Sequence, residues 1–459
     1  FPTNPGGFPA YGGQNDLACN GAISPAAGDY RNASWGGNSC VVTLTSGQTY
    51  RFDTLSLAEG AMLNLNGATL YVRKLTIRND YNNGLHGAGS LHANELTVTG
   101  NGRLSDARVT VYNRLEVSGN GNTGTAVFQP RYIDNVTMDV SAGGQSVLMA
   151  AGNWLIRNLE MKNNSALAFQ GQSTLDVYGL KMADQGRISV AGSRNDLTVQ
   201  LHQTLEMSSN AAINGYLQAR YVKTFRHQSS SNINFYFRGG SHWIDKMELG
   251  QNDKLFFDSG SATQLYLKSD LTLSDQMEVN ATGKANDLMF YHFGRVIMSG
   301  QTKLNAILYV MNQGCSWRAL PKDLPVEKVT GQGRLDEHLT AMRYSDWALG
   351  QFFEKAKKSP YYKDTLFVIV GDHGFGSPEQ LTEMDLFRFN VPLLLIAPGI
   401  QEKFGTSSEV VGTQIDVVPT ASPEETVRGS DIVSTVTTAT TPLFDAGWLS
   451  PGTHINGAG

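Results

Sequence analysis

The feature that most constrains this chain is an apolar–polar–apolar tripeptide that recurs along its first three hundred residues. Its copies begin at Leu55, Leu75, Leu96, Leu115, Val136, Leu159, Leu180, Leu205, Met247, Leu271 and Val296. The step of 42 residues between Leu205 and Met247 is about two periods, which predicts a degenerate copy between them. A fixed period of this size indicates a repeat architecture.

Turn-rich stretches separate the copies and indicate the kind of repeat. Gly100-Asn101-Gly102 follows one copy, and alternating pairs such as Ile188-Ser189-Val190 lie between others. Two or three short strands per ~20 residues suit one coil of a parallel β-helix, in which only the stack is stable. We therefore predict a mainly β protein, a parallel β-helix of about 20–25 residues per coil. An antiparallel sandwich or barrel, with hairpin turns, is the alternative.

Composition narrows the class of protein. The 459 residues are enough for two or three domains, and the net charge of −5 gives no basic field for nucleic acid. No apolar run approaches the ~20 residues of a membrane helix. The chain opens at Phe1 without a signal peptide, as a mature secreted protein or a truncated chain would. Cys19 and Cys40 are the candidate disulfide of an oxidising compartment, which leaves Cys315 over.

The N-terminal region carries a family resemblance. Residues 1–45 are expected to cap the stack, and residues 46–303 form the repeat. Leu17–Ile23, Gly28-Asp29-Tyr30 and Tyr50-Arg51-Phe52 resemble bacterial surface proteins associated with the MSHA type IV pilus, of the MshQ type. The resemblance covers about 300 residues and implies an exported protein on a Gram-negative surface, with a role in pilus biogenesis or adhesion.

The repeat offers few candidates for catalysis. A β-helix that degrades polysaccharides needs clustered carboxylates or a metal. Asp253 and Asp258 look isolated, as turn residues do. The aromatic residues could form a sugar platform but are more typical of a core or ladder; they are Tyr71, Trp154, Trp243 and Tyr266. The histidines lack ligand spacing; they are His86, His92, His227, His242 and His292.

Past residue 303 the sequence changes character. Residues 304–325 are similar to the N-terminal segment of insertion-sequence transposases through Gly314–Arg318 and Leu320–Asp323, although the last coil could also run on through Leu304–Val310. None of the acidic metal ligands of a transposase lies in this segment, so it implies no DNA chemistry.

Residues 326–420 have the pattern of an α/β segment. Apolar residues at helical spacing predict a helix that ends at Ser359-Pro360; they are Leu335, Leu339, Met342, Trp347, Leu349, Phe352 and Phe353. Leu366–Val370 predicts a buried strand of a parallel sheet, running into Gly371-Asp372-His373-Gly374. Val391–Ala397 predicts a further strand.

This segment resembles the alkaline phosphatase/sulfatase superfamily, and within it the lipoteichoic-acid-synthase-like enzymes. The matching stretches are Tyr362–Leu366, Gly371–Gly374, Pro392–Gly399 and Gln414–Thr420. The resemblance implies that Asp372 and His373 are ligands of a divalent metal. The family's nucleophile and remaining acidic ligand come from its N-terminal half, in whose place the β-helix stands. We therefore expect no bound cofactor.

Residues 421–459 carry a third resemblance. Glu424–Val433 and Trp448–Asn456 are similar to the NAD-binding domain of the ornithine cyclodeaminase/mu-crystallin family. Its glycine-rich phosphate loop lies upstream of the matching part, so nicotinamide binding is not expected. The C-terminal region therefore consists of incomplete α/β fragments, and we interpret the chain as composite. On that interpretation coils could continue under residues 326–420, and a well-formed helix over Leu335–Lys357 would contradict this.

Three functions follow from these patterns. The first is a non-enzymatic structural or adhesive protein of the bacterial cell surface, with surface or pilus proteins and glycans as partners and self-association through its stack ends. The second is a metal-dependent hydrolase or transferase that uses Asp372 and His373. The third is a β-helix enzyme that degrades polysaccharides. Nucleic-acid partners and an integral membrane segment are not expected.

Overall fold

The computed structural model describes the chain in two units, Phe1–Met311 and Asn312–Gly459. The described residues are 2–9, 13–79, 83–141, 146–229, 232–258, 262–273, 276–284, 287–292, 294, 296–298, 302–304, 306–310, 320–371, 391–407, 432–436 and 454–458. Among these residues, no helix has the length and apolar character needed to cross a membrane.

The first unit is a parallel β-solenoid of about 12 turns, as the repeat predicts. Its longer strands are Gly28–Trp35, Thr49–Leu57, Thr69–Asn79, Ser90–Gly100, Arg108–Gly119, Tyr132–Val140, Gly152–Asn163, Ser173–Met182, Leu197–Ser208, Val222–Gln228 and Gly240–Glu248. Its shorter strands are Ala22–Ile23, Val41–Thr43, Met62–Asn64, Gly84–His86, Arg103–Leu104, Val127–Phe128, Ser146–Met149, Ala166–Phe169, Arg187–Val190, Ala212–Ile213, Tyr216–Ala219, Asn234–Phe237, Lys254–Phe257, Thr263–Leu267, Leu271–Leu273, Glu278–Val279, Leu288–His292, Val296–Met298, Lys303–Leu304 and Ile307–Val310. A 3₁₀ turn covers Arg194–Asp196.

The recurring tripeptide marks residues that occupy equivalent positions in successive coils. Leu55 pairs with Leu75, Leu75 with Leu96, and the later copies pair in the same way as far as Leu205, while Leu271 pairs with Val296. The degenerate copy is Phe225-Arg226-His227, since Phe225 pairs with Leu205 on one side and Met247 on the other. All strand pairs of the solenoid are parallel, so the antiparallel alternative is wrong.

Glycine is needed where successive coils approach each other at their turns. A Cβ atom on Gly121 would lie 2.4 Å from the Val98 carbonyl oxygen, and one on Gly102 would lie 2.4 Å from the Ile77 carbonyl oxygen. Such contacts are shorter than van der Waals distance, so any larger residue would push the coils apart. The Gly-Asn-Gly turns therefore set how closely the coils stack.

The N-terminal segment covers the first coil. The backbone N–H of Leu17 donates to the Asn32 carbonyl at 2.9 Å, and the Trp35 indole Nε1 donates to the Leu17 carbonyl at 2.9 Å. A disulfide joins Cys19 to Cys40, whose Cα atoms are 5.7 Å apart. These contacts occupy part of the strand edge that the first coil would otherwise expose.

Coils continue past residue 303, because Lys303–Leu304 and Ile307–Val310 pair with the preceding turn. The transposase-like segment therefore begins inside the solenoid, as the continuation through Val310 anticipated. Cys315 and the Gly314–Arg318 motif lie outside the described residues.

The second unit contains a 21-residue helix, α1, at Asp336–Ala356. The 3₁₀ turns Gly333–Leu335 and Pro360–Asp364 flank it, and a short helix follows at Ile400–Phe404. Asp336 and Glu337 in the first turn of α1 suit the positive end of its dipole. The hypothesis that coils continue through residues 326–420 is therefore wrong. The apolar residues of this stretch have helical spacing, and they form a helix instead of the strands of a coil.

The strands of the second unit differ from their prediction. Phe367–Val370 pairs antiparallel with Leu393–Ile396, and Val368 and Leu394 are 38% and 46% exposed. The predicted buried parallel strand is thus wrong in both respects, since a continuous apolar run fixes neither strand direction nor burial. Ile432–Val436 and His454–Ala458 form a further parallel pair.

Candidate functional site

The predicted metal pair follows directly on the strand Phe367–Val370. Gly371 ends the described part of that segment, and Asp372 and His373 lie outside the described residues. Among the described residues, no group of three His, Cys, Asp or Glu side chains could hold a metal ion. The fit of a metal to Asp372 and His373 therefore remains a prediction of the resemblance.

The solenoid interior contains an acid–histidine pair that the sequence did not reveal. His227 takes the position held by Met207 in the preceding coil, and both His227 and Asp253 have fully buried side chains. The His227 Nδ1 lies 2.7 Å from the Asp253 Oδ2, and the Gly250 and Ile233 N–H groups donate to the same carboxylate at 2.8 and 3.1 Å. The prediction that Asp253 is an isolated turn residue is wrong.

Burial assigns this pair a structural role. The His227 Nε2 has no hydrogen-bond partner among the described residues and is closed off from solvent. A general base must reach its substrate within hydrogen-bond distance, which a wholly enclosed imidazole cannot do. The pair therefore fixes the Phe225 coil. The periodicity could have located it, because His227 occupies the third position of the degenerate copy.

His242 is a second buried histidine, and it is neutral. The Ala219 N–H donates to its Nδ1 at 3.0 Å, and its Nε2 donates to the Arg238 carbonyl at 2.7 Å. Burial is the largest cause that lowers the pKa of His242, to about 4. Both ring nitrogens are occupied by the backbone, so His242 ties two coils together and has no free nitrogen for a ligand.

Several charged residues on the outer surface of the solenoid form pairs between neighbouring coils. Arg73 contacts Asp53, Arg226 contacts Glu248, and Glu278 lies between Lys254 and Lys303 at 3.0 and 3.1 Å. Hydrogen bonds from Lys254 and Lys303 hold the pKa of Glu278 below its ordinary value. Glu248 is lowered in pKa in the same way, by Lys246 and Arg226. A polysaccharide hydrolase needs a carboxylic acid of raised pKa, and these carboxylates are shifted the other way.

Two groups of outward-facing aromatic rings contain the sequence candidates Tyr71, Trp243 and Tyr266. Tyr71 stacks on His92 at a ring distance of 4.5 Å, and Phe8 of the N-terminal segment approaches Tyr71 and Tyr112 edge-on at 6.4 and 5.3 Å. Asn4 on the same segment donates to the Asp134 carboxylate at 2.7 Å. The first group is therefore covered by the chain itself.

The second group is a column of outward rings on three consecutive coils. Trp243 stacks on Tyr266 at 3.9 Å, and Tyr266 stacks on Tyr291 at 4.6 Å. Trp243 remains 46% exposed, whereas Trp154 is buried and donates from its Nε1 to the Ala150 carbonyl at 3.0 Å. The ladder prediction thus holds for Trp243 and Tyr266, and the core prediction holds for Trp154.

Comparison with known proteins identifies two families along the chain. The Sulfatase family model matches residues 192–423, and the model of the ornithine cyclodeaminase/mu-crystallin family matches residues 390–459. The part of the Sulfatase match before residue 311 consists of solenoid strands. Two family models match this chain, and part of the region that the Sulfatase model matches forms coils of the solenoid. The chain is therefore composite.

The relatives match over short stretches. Lipoteichoic acid synthase 1 of Bacillus subtilis (strain 168) is 31% identical over 112 residues, which cover 22% of this chain and 17% of that protein. Lipoteichoic acid synthase-like YvgJ of the same organism is 29% identical over 99 residues, or 19% and 16% of the two chains.

Ketimine reductase mu-crystallin of Rattus norvegicus is 43% identical over 58 residues, which cover 13% of this chain and 17% of that protein. The chain thus spans less than a fifth of the length of each of these relatives. No solved structure matches the chain. Because the Sulfatase model covers just over half of the 459 residues, the chain belongs to the sulfatase family.

Proposed function

We propose that this protein is a non-enzymatic structural or adhesive β-solenoid of the bacterial cell surface, with pilus proteins, other surface proteins and glycans as its partners. The observation that carries the proposal is the continuous stack itself, on which several outer charges pair with partners on neighbouring coils. A surface whose ionic groups already pair with one another suits a rigid scaffold that offers one of its sides to a binding partner.

The cap of the first coil supports an extracellular location. The Cys19–Cys40 disulfide is of the kind that persists in oxidising compartments and is rare in the cytosol. The resemblance of residues 1–303 to MSHA-associated proteins agrees with this location and with a pilus-associated role.

Adhesion is tested with beads that carry the purified full chain. The beads are passed under flow over bacterial cell lawns, immobilised surface-protein extracts and immobilised glycans. We expect retention that exceeds that of beads carrying the heat-unfolded chain. Equal retention of folded and unfolded chains on every surface would contradict an adhesive role.

The sulfatase-family match supports a second candidate function, a metal-dependent hydrolase or transferase of phosphate or sulfate esters. Asp372 and His373 would hold a divalent metal by resemblance, and a bound metal would supply charge stabilisation at the transferred group. The names of the lipoteichoic acid synthase relatives suggest lipoteichoic acid as the product class.

The second candidate is tested by release of phosphate and sulfate from nitrophenyl esters with Mn²⁺, Mg²⁺ or Zn²⁺ present. The full chain is compared with a D372N/H373Q variant, and with a D364N variant as a control from the same unit. Turnover that is lost only in D372N/H373Q would establish this function and overturn the non-enzymatic one. Turnover equal in all three chains would reject it.

A further inference from the structure

The exposed column of rings on the last coils carries an inference that deepens the proposed adhesive function and rests on it. This column, the Trp243 stack, consists of Trp243, Tyr266 and Tyr291 on the strands Gly240–Glu248, Thr263–Leu267 and Leu288–His292. Trp243 pairs in register with Tyr266, and Tyr266 with Tyr291. The rings are nearly parallel, with interplanar angles of 5° and 7°.

One face of the indole is covered and the other is not. Tyr266 lies 3.9 Å from one face of Trp243, yet 46% of the Trp243 surface remains exposed. The exposed part must therefore include the opposite face and the outer edge of the ring. That opposite face looks along the solenoid toward Tyr221, which is 50% exposed. Among the described residues, no second ring or cation stacks on Trp243.

Hydrogen-bonding groups lie on both sides of the indole, the open side and the side that Tyr266 covers. The Tyr221 hydroxyl donates to the Asp245 Oδ2 at 3.1 Å, which places a phenol and a carboxylate beside the indole strand. On the other side, the Ser241 and Tyr266 hydroxyls both donate to the Gln264 Oε1, at 3.0 and 3.2 Å. The Gln264 Nε2 and the Trp243 Nε1 make no hydrogen bond to another described residue.

We propose that the open face of Trp243 is a binding site for a neutral glycan. A pyranose ring has a face of C–H bonds that are weakly positive, and an aromatic face carries negative charge density, so the two attract when stacked. The hydroxyls at the rim of the sugar meet the Tyr221 phenol and the Asp245 carboxylate on the open side. An aromatic plane with a few placed polar groups is the usual composition of a small-molecule site.

The charges near the stack favour a neutral sugar over an acidic one. Asp245 is an anion at the edge of the site, and it would repel a uronic acid or a sialic acid. The nearby cations Lys246 and Arg226 both contact Glu248, which lowers the pKa of that carboxyl and keeps the three groups paired. An acidic sugar would have to compete with Glu248 for them.

A matched control stack exists on the same coils. Tyr236 stacks on Phe256 at 4.8 Å and 13°, but its other face lies under Arg194, whose guanidinium carbon is 3.4 Å from the ring centroid. The two stacks share coil stacking and aromatic character. They differ in whether a ring face is open to a ligand.

The experiment is titration calorimetry of the full chain, and of the variants W243A, W243F and Y236A, with cellohexaose, a neutral mannan hexasaccharide and an acidic hexagalacturonate. We expect W243A to lower the affinity for the hexasaccharide by about tenfold or more. W243F retains an aromatic face and is expected to keep most of the affinity, while Y236A binds as the unaltered chain does. Thermal unfolding of each variant shows that the solenoid is intact.

Three results with measurable binding would overturn the inference. They are equal loss of binding in W243A and Y236A, binding to W243A that matches the unaltered chain, and tighter binding of an acidic hexasaccharide than of both neutral ones. Absence of any hexasaccharide binding also overturns it. If the bead assay still shows retention on protein surfaces in that case, adhesion stands and only the glycan site fails.

Discussion

The two units of this chain handle apolar residues in opposite ways. In the solenoid, Leu115 lies between Leu96 and Val136 of the neighbouring coils and is fully buried. In the second unit, Leu394 pairs with Ile369 and is 46% exposed. A repeat supplies each apolar residue with equivalents above and below it, so the stack provides its own core. The described strands of the second unit have no equivalent apolar residues stacked above and below them.

This contrast explains what each unit can do by itself. The solenoid has polar groups satisfied by the next coil, as with His242 and Asp253. The second unit keeps Met342, Phe352 and Leu394 largely exposed, at 56%, 45% and 46%. Exposed apolar residues on this scale are typical of a surface that normally meets another part of a fold. A composite origin accounts for both observations.

The largest effect is expected at Asp253, whose carboxyl group is fully buried in the solenoid. In D253A the Gly250 and Ile233 N–H groups and His227 lose their common acceptor inside the stack. We expect a loss of about 3–5 kcal/mol in the free energy of unfolding, measured by urea denaturation. D258A serves as the control and should change it by less than about 0.5 kcal/mol. Equal effects of the two variants would contradict the buried pair.

The comparison of the two units is tested directly by L115A and L394A. Removing a fully buried leucine side chain from the stack should cost about 2–5 kcal/mol, because the coils cannot close over the cavity. L394A should change the free energy of unfolding by about 0.5 kcal/mol or less, since its side chain is already half in water. A cost of several kcal/mol for L394A would show that the second unit has a core of its own.

The sequence predicted the solenoid in detail because its period is itself a physical contact. The residue that starts each tripeptide is the residue that stacks on its equivalent, and the missing copy proved to be Phe225. The helix α1 was likewise predicted from its spacing, but its buried face only in part: Phe353 is buried as expected, Met342 and Phe352 are exposed, and Thr340 and Ala341 are buried instead. Helical spacing gives a face, and tertiary contacts decide which side of it is covered.

The candidate sites were less predictable for a related reason. The Asp253–His227 contact joins residues 26 positions apart, and only the coil length brings them together. The face of Trp243 is open because no described ring of the neighbouring coil stacks on it. The positions of Trp243 and Tyr266 in the sequence cannot predict that. Asp372 and His373 were predicted from a resemblance alone and lie outside the described residues.

A pH dependence of the solenoid follows from His242. Its pKa is lowered to about 4 by burial, against an ordinary value of about 6.5 in the unfolded chain. The unfolded state therefore binds more protons between these values, and stability rises with pH across this window. The contribution is complete above about pH 6.5 and lost as pH falls toward 4, with a ceiling of about 3 kcal/mol.

Thermal unfolding from pH 7 to pH 4 checks this expectation, with H242Q as the comparison. Glutamine cannot take up the proton, so the steepness of the decline between pH 6.5 and 4 should be reduced in H242Q. An identical slope in the two chains would assign the decline to groups other than His242, such as His92 and His292, whose pKa values burial also lowers. Glu248 and Glu278 do not account for it, because their lowered pKa values place their loss of stability below about pH 4.5.

The smallest effects are expected for the surface ion pairs, where the two units should behave alike. Arg226 contacts Glu248 between coils, and Lys357 lies 3.5 Å from Glu354 at the end of α1. Both pairs are partly or largely in water, so R226A and K357A should each cost about 0.2–1 kcal/mol, and less in 1 M NaCl. The measurement is urea unfolding of both variants at low and high salt. If R226A costs well over about 1 kcal/mol while K357A does not, the stacked charges act together along the solenoid. The contrast between the units would then extend from their cores to their surfaces.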